Sequence, residues 1–317
     1  MGFALHGTNR RLQQGKIGRQ RRRSTGRVGL LCGLLLSAVA YANETAYMQD
    51  LATWRTAYAQ RLQAEDGWLT VVGLYWLNVG ENQAGTDSSN DIVLRAGSAP
   101  QHVGVFEFRQ GKTTFHAAEG TEVRQQGRVV RSATLMPGPG TGAAPADALS
   151  VGALTLWVHQ SGERFAIRVR DPQSPLRTGF TGCKWFPVDP AYKITGRFVP
   201  YDTPKAVTMP NIMGDLEHYS SPGWVQFEIQ GRELRLQPVS TGTDRLFFVF
   251  RDQTSDQETY GAGRFLVTDG PRDGHVFLDF NKAVNPPCAY NPYTTCPLPL
   301  KENRLPIRLE AGELKYK

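Results

Sequence analysis

Apolar residues recur at steps of three and four along residues 44–64. They are Tyr47, Leu51, Trp54, Tyr58 and Leu62. Because side chains at this spacing share one side of an α-helix, the pattern predicts an amphipathic helix whose stripe faces the core. Asn43 is a suitable N-cap, and Gly67 follows the predicted end. We therefore expect an N-terminal helix within residues 43–66, packed on the domain that follows.

From residue 67 onward the pattern changes to short apolar stretches separated by turn residues, which is typical of strands. The predicted strands are 67–77, 105–108, 113–117, 129–135, 154–159, 165–169, 224–229, 234–239, 246–250, 264–267 and 276–280. Residues 78–90 and the flexible Pro/Gly-rich tract 136–147 are predicted loops. Residues 67–317 are therefore predicted to form a single, mainly β domain, either an antiparallel barrel or a sandwich.

In the strand that begins at Phe165, Phe165, Ile167 and Val169 alternate with Ala166, Arg168 and Arg170. One face of this strand is apolar, and the opposite face carries the guanidinium groups of Arg168 and Arg170. If the polar face lines a cavity, these arginines would bind an anionic ligand together with Lys184 and Arg264. If it is solvated, they are ordinary surface charges.

Two segments of the chain resemble each other. Each places Arg-Asp-x-x-Ser directly after an apolar strand, at residues 170–174 and 251–255, and each continues through a glycine turn to a cation. The repetition predicts a duplicated strand-turn-strand unit. The alternative is chance similarity, with Asp171 and Asp252 each binding the amides of its own turn.

Residues 1–42 have the composition of a secretory signal peptide. They contain eight cations and no acidic residue, and residues 28–40 form an apolar run. Ala40 and Ala42 flank Tyr41 in an A-x-A arrangement, which predicts cleavage after Ala42. The run is shorter than the ~20 residues that span a bilayer, which favours cleavage over a retained anchor. We therefore expect an exported protein, periplasmic or extracellular.

The basic character of the chain belongs to this leader. The formal net charge is +7, and removal of the eight leader cations leaves −1. A nearly neutral domain is not expected to bind nucleic acid. The sequence also contains no GxSxG, HExxH or paired C-x-x-C motif. No cofactor, metal or standard catalytic machinery is therefore predicted.

Near the C-terminus, residues 285–299 combine prolines, asparagines and tyrosines with two cysteines; we call this segment the C-terminal loop. In an oxidising compartment Cys288 and Cys296 are the natural disulfide pair. A zinc site built on them is the alternative, but seven intervening residues exceed the usual spacing of thiolate ligands. Cys183 would then remain as a small buried residue.

Polar residues stand where the last predicted strand ends. Asp279 and Asn281 lie there, and Arg264 could supply the opposing cation. The candidate ligand-binding residues are therefore Arg168, Arg170, Arg264, Asp279 and Asn281.

The chain resembles a known protein family in two regions. The residues that carry the resemblance are 67–69, 76–77, 279–288, 296–299 and 303–306. They are similar to a family of uncharacterised bacterial proteins, domain of unknown function 1684, from about Leu51 to Glu313. The resemblance implies no reaction, cofactor or catalytic residue. Where the family has an aromatic residue this chain has Val284, so a tyrosine-dependent role is not expected there.

Three classes of function remain. The first is a cell-envelope β-scaffold that binds a small polar or anionic molecule near the candidate residues. The second is a hydrolase or transferase in which Asp279 is the base and Asn281 or Asn285 orients the substrate. The third is a structural or interaction protein that docks partners on its Pro-rich tail.

Overall fold

The computed structural model describes residues 27–138, 144–242 and 244–316, with side chains from residue 43 onward. Residues 1–26 of the predicted signal peptide and residues 139–143 of the predicted Pro/Gly-rich loop lie outside the described residues. The chain forms two compact units, Met1–Tyr47 and Met48–Lys317. Among the described residues, no helix has both the length and the apolar character needed to cross a membrane.

The helix α1 (Arg27–Gln63) overlaps the predicted helix of residues 43–66, but it starts earlier and ends three residues sooner. Asn43 lies inside it and is therefore not its N-cap, contrary to the prediction. Within the second unit the predicted stripe is confirmed, because Leu51 and Leu62 are buried and Trp54 stacks on Tyr58 with ring centroids 5.7 Å apart.

The remaining elements are mostly strands. They are β1 (Val71–Trp76), β2 (Gly80–Gly85), β3 (Ile92–Val93), β4 (Gly104–Arg109), β5 (Lys112–Ala117), β6 (Arg124–Gln125), β7 (Arg128–Val129), β8 (Ser132–Leu135), β9 (Leu149–Val151), β10 (Leu154–Ser161), β11 (Arg164–Arg170), β12 (Lys193–Pro210), β13 (Leu216–Ile229), β14 (Arg232–Leu236), β15 (Val239–Ser240), β16 (Arg245–Phe250), β17 (Arg264–Asp269) and β18 (His275–Asp279). A short helix, α2 (Pro175–Thr178), follows β11. Single 3-10 turns occur at Trp68–Thr70, Pro190–Tyr192, Phe280–Lys282, Pro287–Ala289 and Lys301–Asn303.

These strands form four sheets in the described part of the chain. Sheet 1 has the order β1-β11-β10-β9-β6-β7 and sheet 2 the order β3-β2-β4-β5-β8. Sheet 3 is β14-β13-β12-β18 and sheet 4 is β15-β16-β17. Each sheet built from described residues ends in two edge strands, so none closes on itself. The mainly β prediction is confirmed, and of its two alternatives the sandwich fits.

The two largest apolar cores each hold a pair of sheets together. The first is formed by Leu154, Leu156, Val158, Ile167 and Val169 of sheet 1 with Ala84, Phe106, Phe115 and Leu135 of sheet 2. The second is formed by Val225, Phe227, Leu236 and Leu278 of sheet 3 with Leu246, Phe248, Phe250 and Leu266 of sheet 4. Burial of one such side chain contributes roughly 1.5–3 kcal/mol. The first core therefore holds sheet 1 against sheet 2, and the second holds sheet 3 against sheet 4. The face of sheet 1 opposite the first core is the one that carries Arg168.

The predicted turn at Gln230 and Gly231 is confirmed. Both residues have positive φ, at 53° and 70°, and Ile229 pairs with Arg232 across the turn. Two consecutive residues of positive φ match the twist of an antiparallel hairpin. The turn therefore sets the register of β13 and β14.

Two of the longer strands were not predicted from the sequence. Residues 80–85, predicted as loop, form β2 because their backbone pairs with β4. The long strand β12 was missed because Pro200 and Pro204 argue against a strand. The ladder accommodates them at an irregularity in which the register shifts between Pro200 and Lys205.

The predicted duplication holds only at its corners. In each, the carboxylate of Asp171 or Asp252 accepts a bond from the amide two residues later, at 2.8 and 2.7 Å. Beyond the corners the segments differ, since β17 pairs with β16, whereas its counterpart after the first corner, residues 184–186, makes an isolated bridge from Trp185 to Glu313. The shared feature is therefore an Asx-turn.

Candidate functional site

The face of sheet 1 that points away from the first core is polar and is buried except at Arg164, whose side chain is 46% exposed. We call it the polar face; it consists of Trp157, His159 and Ser161 of β10 and Arg164, Arg168 and Arg170 of β11. The alternation of side chains along each strand puts these residues on one side, and Trp157 lies directly opposite Arg168 in the ladder. The solvated alternative is wrong for Arg168 and Arg170, because both are buried. Lys184, by contrast, is exposed.

Arg168 is a cation enclosed by protein. Its exposed fraction is 0%, and none of its three guanidinium nitrogens has a hydrogen-bond partner among the described residues. The guanidinium carbon lies 5.6 Å from the centroid of the Trp68 ring. Burial lowers the pKa of Arg168 from 12.5 to about 10, so the group stays charged at neutral pH. An unpaired ion in such surroundings costs several kcal/mol.

Two further groups of the polar face surround this charge. The indole Nε1 of Trp157 is buried and has no acceptor among the described residues. His159 is 2% exposed, and its Nε2 lies 3.0 Å from the hydroxyl oxygen of Thr295. Burial, and secondarily the charge of Arg168, lowers the pKa of His159 to about 3. The imidazole is therefore neutral near pH 7, so it does not compete with Arg168 for an anion.

The end of the polar face opens into a cleft of about 1030 Å³. Arg164 lines it and binds the carboxylate of Asp215 at 2.7 Å, and Ser161 donates to the same carboxylate at 2.7 Å. Glu217, also at the cleft, attracts Arg168 electrostatically. Gly138 lines the cleft too, and a Cβ there would lie 3.0 Å from the Trp157 ring. The cleft thus adjoins the Arg164 end of the polar face, and Gly138 lies between it and the Trp157 ring.

The candidate residues from the sequence separate into different places. Arg170 donates to the carbonyl of Asp66, a residue just after the C-terminal end of α1, at 2.7 Å. Arg264 donates to Asp252, and its guanidinium also contacts the carbonyls of Leu309 and Ala311. The predicted pairing of Arg264 with Asp279 is therefore not the one observed.

The side chains of Asp279 and Asn281 form hydrogen bonds with backbone groups. The carboxylate of Asp279 accepts from the Asn281 amide at 3.2 Å, which caps the 3-10 turn that follows β18. It also lies 3.9 Å from Lys282. The side chain of Asn281 donates to the carbonyl of Asp189 at 2.9 Å. Both residues thereby tie the end of β18 to a neighbouring segment.

The two cysteines of the C-terminal loop are adjacent but carry free thiols. The amide of Cys288 donates to Sγ of Cys296 at 3.3 Å. Cys296 is buried, whereas Cys288 is partly exposed. The described residues contain no group of three or more metal ligands, around these thiols or elsewhere.

A second buried polar cluster was missed by sequence reasoning. Glu313 accepts hydrogen bonds from the hydroxyl of Tyr290 and from the amide of Asn285, the latter at 2.8 Å. Tyr58 lies 3.4 Å from Tyr290, oxygen to oxygen, and Cys183 lies 3.8 Å from the same hydroxyl. Burial raises the pKa of the Glu313 carboxyl and of the Cys183 thiol. No pattern in the sequence indicates this cluster, because its members come from four separate segments.

Trp157 and His159 were also missed, although a usable pattern was present. Both stand at alternate positions of a predicted strand, which would have placed them on one face. What the sequence does not show is that β10 and β11 are neighbours in register.

Comparison with known proteins identifies a family but no activity. Residues 178–314 match a family described as "Protein of unknown function (DUF1684)". Among solved structures, the chain is similar to an uncharacterized protein of Haloarcula marismortui solved by NMR in solution. Identity is 31% over 44% of this chain and 78% of that chain, with a TM-score of 0.38. No curated protein matches this chain. Through residues 178–314, this chain belongs to the DUF1684 family of proteins of unknown function.

Proposed function

We propose that this protein is an exported β-scaffold that binds a small anionic molecule at the polar face of sheet 1. The observation that carries the proposal is the buried guanidinium of Arg168, whose nitrogens have no hydrogen-bond partner among the described residues. A charged group in that position is costly unless an acceptor meets it. A ligand with a carboxylate, phosphate or sulfate group supplies that acceptor, since the planar guanidinium donates to two anionic oxygens at once.

The neighbouring groups favour an anion over a neutral ligand. Trp157 adds an indole N–H donor on the same face, and the neutral His159 adds no competing negative charge. Two of the three carboxylates at the cleft are already engaged: Asp215 binds Arg164, and Glu217 accepts from Asn211 and Tyr219 at 2.8 and 2.7 Å. Arg168 is thus a cation of this region whose guanidinium N–H groups are available to hydrogen-bond a ligand.

Export is part of the proposal and is supported by the sequence alone. The basic leader, the apolar run 28–40 and the A-x-A arrangement at Ala40–Ala42 match a secretory signal peptide. Mass determination of the protein recovered from the culture medium or the periplasm tests this point. A chain that starts at Asn43 is expected, and a full-length chain confined to the cytoplasm contradicts it.

The binding proposal is tested by thermal unfolding in the presence of anions. Wild-type protein, Arg168→Met and Arg272→Met are compared in sodium acetate, phosphate and sulfate against sodium chloride at equal ionic strength. Arg272 is an exposed arginine and provides the matched control. We expect one of the oxyanions to raise the Tm of the wild type and of Arg272→Met in a saturable way. An occupant at a hundred times its Kd stabilises the folded state by about 2.7 kcal/mol.

In Arg168→Met this increment should disappear. Sulfate and phosphate also stabilise proteins by exclusion from their surfaces, but that effect acts on all three proteins alike and does not saturate. An equal shift in Arg168→Met, or no saturable shift with any of the anions, overturns the proposal.

A further inference from the structure

The thiols of Cys288 and Cys296 differ in their surroundings, although they lie side by side. Cys288 is partly exposed within the 3-10 turn Pro287–Ala289, whereas Cys296 is 6% exposed. The amide of Cys288 donates to Sγ of Cys296 at 3.3 Å, so the two side chains are held together before any bond forms. Of the two residues, Cys288 is thus the more accessible to a reactant.

The backbone around both cysteines is fixed by contacts to other elements. The carbonyl of Cys296 accepts from the amide of Ile212 at 2.9 Å, and the carbonyl of Cys288 accepts from the hydroxyl of Tyr260 at 3.2 Å. Thr294 also lies 3.7 Å from Sγ of Cys296. These contacts hold the pair in one geometry while it is reduced.

The pKa values of the two thiols shift in opposite directions, as their different exposure would suggest. The hydrogen bond from the thiol of Cys296 lowers the pKa of Cys288 against the opposing effect of burial. Burial raises the pKa of Cys296, and the neighbouring Cys288 raises it further. Because the thiolate is the nucleophile, Cys288 is the sulfur that reacts first.

We propose that Cys288 and Cys296 form a redox-active dithiol that exchanges with disulfides of small thiol compounds, with Cys288 as the attacking thiol and Cys296 as the resolving thiol. The Cys288 thiolate attacks one sulfur of the small disulfide, whose S–S bond breaks and releases one thiolate. Cys288 is then joined to the other half as a mixed disulfide.

The resolving step completes the exchange. Cys296 loses its proton to solvent and attacks Sγ of Cys288, which expels the second small thiolate and leaves the Cys288–Cys296 disulfide. The pair gives up two electrons and two protons in total, and the small disulfide is reduced to two thiols. Once Cys288 is in the mixed disulfide, its negative charge no longer opposes ionisation of Cys296, and the charge of Arg168, which interacts with Cys296, favours it.

Cys183 takes no part in this chemistry and supplies the control. Burial raises the pKa of its thiol, which also lies beside the Glu313 carboxylate. A disulfide that only staples the chain requires no difference between its two sulfurs. The asymmetry is therefore the property to measure.

The experiment uses the full chain, reduced and freed of reductant, with glutathione disulfide as the probe. Wild type, Cys296→Ser, Cys288→Ser and Cys183→Ser are quenched with acid over time, and peptide mass mapping places each adduct. We expect wild type and Cys183→Ser to form the internal disulfide. Cys296→Ser should retain glutathione on Cys288. Cys288→Ser should acquire it on Cys296 markedly more slowly, because that thiol is buried and burial raises its pKa.

The same reactions in urea show whether the fold creates the difference. If the two single variants react at similar rates when unfolded, the asymmetry belongs to the structure and the proposal stands. A wild type that stays reduced in glutathione disulfide overturns it. Equal rates in the folded variants, or an asymmetry that persists unchanged in urea, also overturn it.

Discussion

The guanidinium of Arg264 binds the carboxylate of Asp252 where neither side chain reaches solvent, with exposed fractions of 1% and 0%. The charge of Arg264 is further met by the carbonyl of Leu309 at 3.1 Å. The carboxylate of Asp252 also accepts from Thr254, at 2.7 Å from the amide. Both ions are therefore paired and hydrogen-bonded, which is the condition under which a buried ion pair persists. Arg168 is equally buried but has no hydrogen-bonding acceptor among the described residues.

Removal of one partner from this ion pair should be strongly destabilising. In Arg264→Met the carboxylate of Asp252 stays buried without its cation, and we expect the free energy of unfolding to fall by about 3–5 kcal/mol. Urea unfolding followed by Trp fluorescence measures the loss. The control is Arg251→Met, whose partner Asp256 is largely exposed; a change of about 0–1 kcal/mol is expected there. Equal losses in the two variants would show that the buried pair is not special.

Replacement of Arg168 by methionine should not lower the free energy of unfolding. Without an anion present, Arg168→Met replaces an unpaired buried charge by an apolar side chain of similar length. We expect the free energy of unfolding to stay constant or to rise by about 1–4 kcal/mol. The measurement is urea unfolding in a buffer without oxyanions, with Arg272→Met as the control. A loss of 3 kcal/mol or more would mean that Arg168 already has a protein partner that stabilises it.

Much of the architecture could be predicted from local pattern, and the exceptions have physical causes. The strand from Phe165 and the hairpin at Gln230 and Gly231 are indicated by period-two alternation and turn chemistry. β12 could not be predicted because its prolines lie at a shift in register, which only the paired strand β13 reveals.

The site was predictable only in part. The pattern puts Arg168 on a polar face, yet whether that face is solvated depends on what covers it, and Thr295 of the C-terminal loop contacts it from a distant part of the chain. Arg264 was predicted near Asp279, since both stand at strand ends. Its partner is Asp252, because the Asx-turn after β16 points that carboxylate inward.

His159 should make the protein less stable in acid. Burial lowers the pKa of its imidazole to about 3 in the folded state, against 6.5 when exposed. Between these values the unfolded chain binds a proton that the folded chain does not, so stability falls as the pH drops from about 6.5 toward 3. The slope from this group is about 1.4 kcal/mol per pH unit.

Urea unfolding from pH 7 to pH 4 isolates that contribution. His159→Gln should lose less stability over this range than wild type, because glutamine does not titrate. His116→Gln is the control, since the ring of His116 is half exposed, and it should reproduce the wild-type slope. Parallel slopes for all three proteins would contradict a neutral, buried His159.

Tyr290 should matter most when Glu313 is ionised. Burial raises the pKa of Glu313 above its usual 4.5, and the hydrogen bond from Tyr290 opposes that rise. As the pH increases from about 4.5 through the folded-state pKa, the folded protein must hold a buried carboxylate that is readily ionised in the unfolded chain. Stability therefore declines over that range. Tyr290→Phe removes one of the donors that stabilise the carboxylate, so it should lower the free energy of unfolding by about 1–3 kcal/mol and extend the decline to higher pH.

Urea unfolding at pH 4, 6 and 8 measures this effect. The matched control is Tyr293→Phe, in the same C-terminal loop, for which a change within about 0.5 kcal/mol is expected at each pH. Because the carboxyl group is protonated in both states at the lowest pH, the difference between the two variants should be smallest there and grow toward pH 8. A difference that shrinks with rising pH would mean that Tyr290 stabilises the protonated form of Glu313 and not the carboxylate.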